Sequence, residues 1–158
     1  MTTSAYVSSA ERRKAEAPSE RWVSFELNGQ GFGVRIESVR EVLSSAAIEP
    51  VPGAPPLVLG VINLRGRIVT VLDLHMCLGL MRQSDAEARV IIVDFEGEPL
   101  ALRVDRISDL CAVAGHAVKA APATAKSGAN TAVCGVVAKE SHAMLTLLDL
   151  DKLLKVAA

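Results

Sequence analysis

The sequence predicts a mostly β fold in which two small five-stranded β-barrel lobes pack on each other, with short helices between strands and a helix at the C-terminus. Three observations carry that prediction. The chain repeats itself: residues 25–42 run parallel to residues 93–110 at an offset of 68, and Gly60–Leu74 is echoed by Gly135–Leu150 with one residue inserted. Two blocks recurring in the same order argue for one structural unit built twice. Apolar residues make up 50% of the chain and aromatic ones only 3%, so Val, Leu, Ile and Ala must build the interior. Tight-turn signals such as Asn28-Gly29 and Glu96-Gly97 separate the apolar runs at strand-length intervals. The repeat also separates scaffold from function. Features present in both copies serve the fold, and features present in one copy are candidates for the job. Arg65 is of the second kind, because its counterpart is Glu140.

Taken in order, residues 1–20 are polar and charged and read as a flexible tail that cannot bury enough surface to order itself. Trp22–Leu27 alternates with period two and meets Phe32–Ile36 across the Asn28–Gly31 hairpin signal. Val39, Val42 and Leu43 fall at helical i, i+3, i+4 spacing, which predicts a helical turn over Ser38–Leu43. A short strand around Ala47–Val51 ends at Pro52-Gly-Ala-Pro-Pro56, too proline-rich for a helix or a central strand. Leu57–Leu64 and Ile68–Leu74 form a hairpin across Arg65-Gly66-Arg67, and the polar link Gln83–Arg89 is the natural lobe boundary. The second lobe repeats the plan: Val90–Phe95, a turn at Glu96–Pro99, Leu100–Val104, a helical turn over Asp105–Asp109, a strand near Leu110–Ala114 that reaches His116, a loop over 120–132, and a last hairpin of Cys134–Ala138 with Ala143–Leu148. Asp149–Val156 closes the chain as a helix with acid first and base last, the order that suits the helix dipole. The domain is therefore 21–156, with lobe one about 21–82 and lobe two about 90–156. Barrels of this size are SH3-like, and their closure leaves few free strand edges.

Seventeen basic and eighteen acidic residues give a net charge of −1, with no like-charge block outside the first twenty residues. No basic stripe for nucleic acid and no apolar run of membrane-spanning length is present, so neither nucleic acid nor direct membrane insertion is expected. Cys77, Cys111 and Cys134 are odd in number and lack a Cys-x-x-Cys spacing, which fits reduced thiols; together with an N-terminus unlike a secretory signal, this predicts a cytoplasmic protein. Nucleophilic catalysis needs Ser, Cys or Thr beside a base. The histidines, His75, His116 and His142, have no nucleophile elbow near them. His75-Met-Cys77 offers at most two metal ligands, and Ala125-Lys-Ser-Gly128 has the letters of a phosphate loop in the wrong order. Asp73 and Asp149, at equivalent places in the two copies, read as caps for the turn after a strand. No enzyme, cofactor or metal is expected.

Several segments together carry a family resemblance. They are Phe25–Val42 with Val39-Arg40-Glu41-Val42, the loop Val51–Pro56, Gly60-Val-Ile-Asn-Leu-Arg65-Gly66, Val71-Leu-Asp73-Leu, Val104-Asp-Arg-Ile107-Ser-Asp109 and Leu147-Leu-Asp149-Leu-Asp-Lys-Leu-Leu154. This set, in this order, resembles the CheW family of chemotaxis coupling proteins over about residues 21–156. The resemblance implies an adaptor that joins the cytoplasmic hairpin tip of chemoreceptors to a chemotaxis histidine kinase, whose regulatory domain has the same double-barrel fold. It implies recruitment from the cytoplasm to receptor arrays at the inner face of the membrane. It implies a receptor-binding groove between the barrels, with Val39 and Val42 on one wall, Glu41 near the rim, Arg65 close by, and Val104 and Ile107 on the opposite wall. Kinase contacts on the first barrel would fall near Ile48, Val51 and Leu59. Apolar anchors with a charged rim are what helix-in-groove binding requires, and Arg is a favoured anchor because its planar fork pairs and stacks at once.

Alternatives remain at this level. A coupling module of another chemosensory pathway, serving surface motility or second-messenger control, would carry the same residues. A small β-barrel enzyme using His75 or His142 is a reading from another class. A detached kinase regulatory domain, or a coupling protein with a phosphorylatable receiver, is disfavoured by a chain that starts at Met1 and has no room for an acidic receiver pocket.

Overall fold

The computed structural model describes residues 19–83, 89–120, 132–138 and 144–157. Most of the tail, most of the 83–89 link, nearly all of the 120–132 loop, Glu140 and His142 lie outside the described residues. Ten strands are described: β1 Ser19–Leu27, β2 Gln30–Arg35, β3 Val39–Leu43, β4 Val58–Leu64, β5 Arg67–Asp73, β6 Arg89–Phe95, β7 Glu98–Val104, β8 Arg106–Ala114, β9 Val133–Ala138 and β10 Met144–Leu148. A four-residue helix, Leu74–Cys77, follows β5, and Leu150–Ala157 closes the chain.

The strands form two five-stranded sheets, the first in the order β8-β1-β2-β10-β9 and the second in the order β3-β6-β7-β5-β4. Replacing each strand by its repeat partner converts one order into the other, as a duplicated unit requires. The lobes, however, are not 21–82 and 90–156. β1 and β2 lie in the first sheet with β8–β10, while β3–β5 lie in the second with β6 and β7. Each repeat therefore gives its first hairpin to the lobe that the other repeat completes. This exchange places strands side by side that no hairpin connects, and two of those junctions, β2 with β10 and β5 with β7, are parallel. The lobes are thus not antiparallel throughout, each containing one parallel pair. Nor are they closed by a ladder. Among the described residues each open seam is stitched by one bridge, Glu49 with Val61 and Lys119 with Val136, each made by two backbone hydrogen bonds of 2.8–2.9 Å. Glu49 is all that the expected strand over 47–51 contributes.

Three hairpins are closed by equivalent turns in which both central residues have positive φ: Asn28-Gly29 at 52° and 78°, Arg65-Gly66 at 52° and 86°, and Glu96-Gly97 at 51° and 81°. That is the backbone whose twist matches two-residue hairpins. Asp73 and Asp149 both cap helices, as expected, with Asp73 Oδ1 accepting from the His75 and Met76 amides and Asp149 Oδ1 from the Lys152 amide.

The helical turns expected over 38–43 and 105–109 are instead strands β3 and β8, with a 3-10 turn only at Ile36–Ser38. The cause is the same in both. A register shift lies between Val39 and Glu41 in the β3–β6 pairing, and another between Val23 and Phe25 in the β1–β8 pairing. The extra residue of a bulge turns the chain over. Val39 then packs on the core between the sheets while Leu43 packs inside the second sheet, and Ile107 and Cys111 are divided in the same way. Residues four apart in an unbroken strand share a face; across a bulge they do not, and the apolar spacing imitates a helix. His116, expected in a strand, lies in a 3-10 turn, Gly115–Ala117.

The largest apolar cluster lies between the sheets, built from Phe25, Leu27, Ile91, Val93, Leu102 and Leu148 with Leu150, Leu153 and Leu154 of the last helix. Val90 and Ile92 face the opposite way, into the second sheet, so the run Val90–Val93 is fully buried on both faces. Each such side chain stabilises the fold by about 2 kcal/mol. Trp22, Val113, Leu145 and Leu147 fill the first sheet.

The cysteines are all free. Burial, reinforced by the Asp73 charge, pushes the Cys77 thiol up to about 11. Cys134 is exposed, although partial burial and Asp149 also raise its pKa. Iodoacetamide at pH 8 is therefore expected to modify Cys134 in the native protein and Cys77 only after denaturant is added. Mass spectrometry of the alkylated peptides checks this; rapid native labelling of Cys77 would show that the interlobe core opens.

Candidate functional site

The second sheet ends at β3 on one side and β4 on the other, and the gap between these edges is spanned by side chains. Glu41 projects from β3 and Arg65 from the β4–β5 turn. Arg65 Nη1 lies 3.2 Å from Glu41 Oε1, and Nη2 contacts Oε2, so the guanidinium grips the carboxylate with both arms of its fork. The turn is fixed by Asn63, whose Oδ1 accepts from the Gly66 amide at 2.7 Å. The Asn-Leu-Arg-Gly segment is thus a small device: Asn63 sets the turn and the turn aims Arg65. The Arg65 hydrogen bonds and charge hold the Glu41 carboxyl below its ordinary range, and Glu41 raises the Arg65 guanidinium in turn. Arg65 is 73% exposed and Glu41 27%. An exposed pair of this kind contributes little to folding, which leaves it available for recognition.

Around the pair, Val42 is 42% exposed, and Val39 is half-buried against the interlobe core. Ile68, in the strand that follows Arg65, is 65% exposed and was not singled out by sequence reasoning, since apolar residues in a strand run read as core. Two further ion pairs, Arg40 with Asp94 and Arg67 with Glu98, decorate strands of the same sheet. On the opposite wall the structure divides the expected residues. Ile107 is half-buried against the interlobe core, but Val104 has no exposed surface. Val104, on the central strand of its sheet, offers no surface to a partner. Of the three residues expected toward a kinase, Val51 is 42% exposed, whereas Ile48 and Leu59 pack half-buried on the core of the second sheet.

His75 is fully buried, with Nε2 3.0 Å from an Asp105 carboxylate oxygen. No group of three or more His, Cys, Asp or Glu side chains among the described residues could hold a metal ion.

A family model described as the CheW-like domain matches residues 21–158. The chain belongs to the CheW-like family. Among its relatives in that family, a chemotaxis protein CheW of Rhizobium meliloti (strain 1021) is 34% identical over 130 residues, covering 82% of this chain and 83% of the relative. The protein FrzA of Myxococcus xanthus is 27% identical over 146 residues, covering 89% and 88%. The crystal structure of the scaffolding protein TtCheW from Thermoanaerobacter tengcongensis matches with a TM-score of 0.75 at 28% identity, covering 86% of this chain and 92% of that one. These relatives place this CheW-like chain among chemotaxis scaffold proteins. No helix of the described residues is long and apolar enough to cross a membrane.

Proposed function

We propose that this chain is a non-enzymatic adaptor that couples the cytoplasmic hairpin tip of chemoreceptors to the regulatory domain of a chemotaxis histidine kinase, in arrays at the inner face of the membrane. The observation that carries this reading is the Glu41–Arg65 fork across the seam of the second sheet, flanked by the exposed Val42. It offers a paired charge beside an apolar side chain, which suits the face of an amphipathic helix. In this reading the receptor meets Val39, Glu41, Val42, Arg65 and Ile107, and the kinase meets the neighbourhood of Val51, with Ile48 and Leu59 shaping that surface from beneath.

The test is direct binding of the full chain to a receptor hairpin and to a kinase regulatory domain, each alone and then together. Modest affinity for each partner and a much tighter ternary complex are expected, since tethering raises effective concentration without new contacts. Val42→Asp is the clean probe of the receptor face. Val42 is exposed, so the change should alter stability by only about 0.5 kcal/mol, whereas Val39→Asp would also disturb the core. Val42→Asp is expected to weaken the receptor and spare the kinase. Equal loss of both partners, or loss of neither, would remove this surface from the receptor site.

The similarity to FrzA favours a second reading, in which the same surfaces serve another chemosensory pathway. Binding measured against receptor and kinase fragments from each candidate pathway separates the two readings by partner preference.

A further inference from the structure

The duplication provides an internal control, and one polar cluster around the buried His75 fails it. Asp105 is the single residue between β7 and β8, where the chain crosses from the second sheet to the first. Its Oδ2 accepts a 2.7 Å hydrogen bond from the Asn28 amide in the β1–β2 turn and lies 3.0 Å from His75 Nε2 on the helix that follows β5. Oδ1 lies 3.4 Å from Arg103 Nη1, and the Asp105 amide donates to the Glu26 carbonyl at 3.1 Å. Asn28 extends the network, donating from Nδ2 to the Met81 carbonyl at 2.8 Å and accepting the Gln83 amide on Oδ1. His75 is fully buried, and its Nδ1 lies 3.4 Å from Asp73 Oδ1 without a hydrogen bond. Burial raises the Asp105 carboxyl, but the Asn28 amide, His75 and Arg103 outweigh it and hold the group below its ordinary value. As the carboxylate is then acceptor only, Nε2 carries the proton that points to it.

The other copy cannot make this arrangement. The counterparts of Asp105, Asn28 and His75 are Glu37, Glu96 and Asp151, all acidic and all exposed. Beside Asp151 lies a cavity of about 160 Å³, lined in part by Arg35, Ser38, Cys134, Leu148 and Asp149. The clasp therefore does not belong to the repeated scaffold. It pins the corner from which β8 departs, two residues before Ile107.

We propose that His75 is a positioning residue: through Asp105 and Asn28 it fastens the β7–β8 corner to the β1–β2 turn and so holds Ile107 in place as a wall of the partner groove. The groove half of this inference rests on the proposed function, whereas the clasp stands by itself, and the experiment keeps the two apart. Amide hydrogen exchange is measured on the full chain, wild type and His75→Leu. Exchange should accelerate by about tenfold or more at Asn28 and at residues 106–110. The equivalent amides at Glu96 and residues 38–42 should not change. His75→Gln, which keeps a side-chain N–H for Asp105, should restore slow exchange. Acceleration of equal size in both copies would mean general destabilisation, and no acceleration would mean no clasp; either overturns the proposal. Should His75→Leu not fold, Asp105→Asn, which removes the charge at nearly constant shape, is read against the same internal control and judged by the same outcomes. In binding, His75→Leu should weaken the receptor hairpin about tenfold and change kinase affinity less than about twofold. Local loosening with unchanged receptor affinity would overturn the positioning role at the groove. If the wild-type chain binds no receptor hairpin at all, the proposed function fails and the exchange data still judge the clasp.

Discussion

Arg65→Glu is expected to abolish receptor coupling while leaving the fold intact. The substitution replaces a two-armed grip on Glu41 by two facing carboxylates at the exposed seam between β3 and the β4–β5 turn. Solvent and counterions screen that repulsion at the surface, so the melting temperature should shift little. Arg65 also sits at φ 52°, a conformation demanded by the hairpin and held there by Asn63, so the new side chain inherits the same aim with the opposite charge. Receptor affinity should fall at least tenfold, about the loss expected when an anchoring arginine leaves an interface, and receptor-dependent kinase activation should fall with it. The reciprocal exchange, Glu41→Arg with Arg65→Glu, separates two ways of acting. If the pair only braces the seam, the swap rebuilds it and coupling returns. If Arg65 itself touches the receptor, coupling stays lost although the ion pair is remade. Survival of full coupling in Arg65→Glu alone would remove the pair from the site. The acid limit has a definite sign: because Glu41 is held below its ordinary value, the pair persists above that value and is lost as pH falls through the lowered one.

Gly60→Ala should be the most damaging small change in the chain. Gly60 has φ 154°, and a Cβ there would lie 2.1 Å from the Glu49 carbonyl oxygen, on the backbone that bridges to Val61 and stitches the open seam. Backbone cannot step aside as the tip of a side chain can. Strain and overpacking together should cost about 3 kcal/mol or more. Gly135 is the same position in the other copy, where a Cβ would meet Val118 Cγ1 at 2.6 Å and the Lys119 carbonyl oxygen at 2.9 Å, so Gly135→Ala should be severe as well. Gly29→Ala is the control: φ is 78° but nothing lies within 4 Å, so only backbone strain remains, about 1 kcal/mol. The single tryptophan, Trp22, is buried inside the first sheet and reports unfolding by fluorescence in a urea titration. A Gly60→Ala variant as stable as Gly29→Ala would mean that the Glu49–Val61 bridge does not hold the seam.

What could be read from the sequence was what is encoded within a few residues or by comparing the copies. Asn28-Gly29 and Glu96-Gly97 announce hairpins because few residues accept the backbone that a two-residue turn needs. Asp73 and Asp149 announce caps because a carboxylate one step before a helix satisfies amides that nothing else reaches. Gly60 and Gly135 could be matched as equivalent, and Arg65 stood out because only one copy has it. The tertiary structure decided what depends on distant partners. Two hairpins with the same strand–turn–strand pattern could each have completed either lobe, and their exchange is fixed only by which core they close. Val42 and Val104 are the same residue type with opposite fates, because β3 is an edge strand and β7 a central one. The bulges in β3 and β8 carry the apolar spacing of a helix, and only pairing with β6 and β1 shows them as strands. Nothing local to His75 indicates that Asp105, thirty residues on, and Asn28 converge with it at one corner. Strand partners, burial and buried polar contacts are set by the closing of the chain on itself, and a one-dimensional pattern constrains that closure without specifying it.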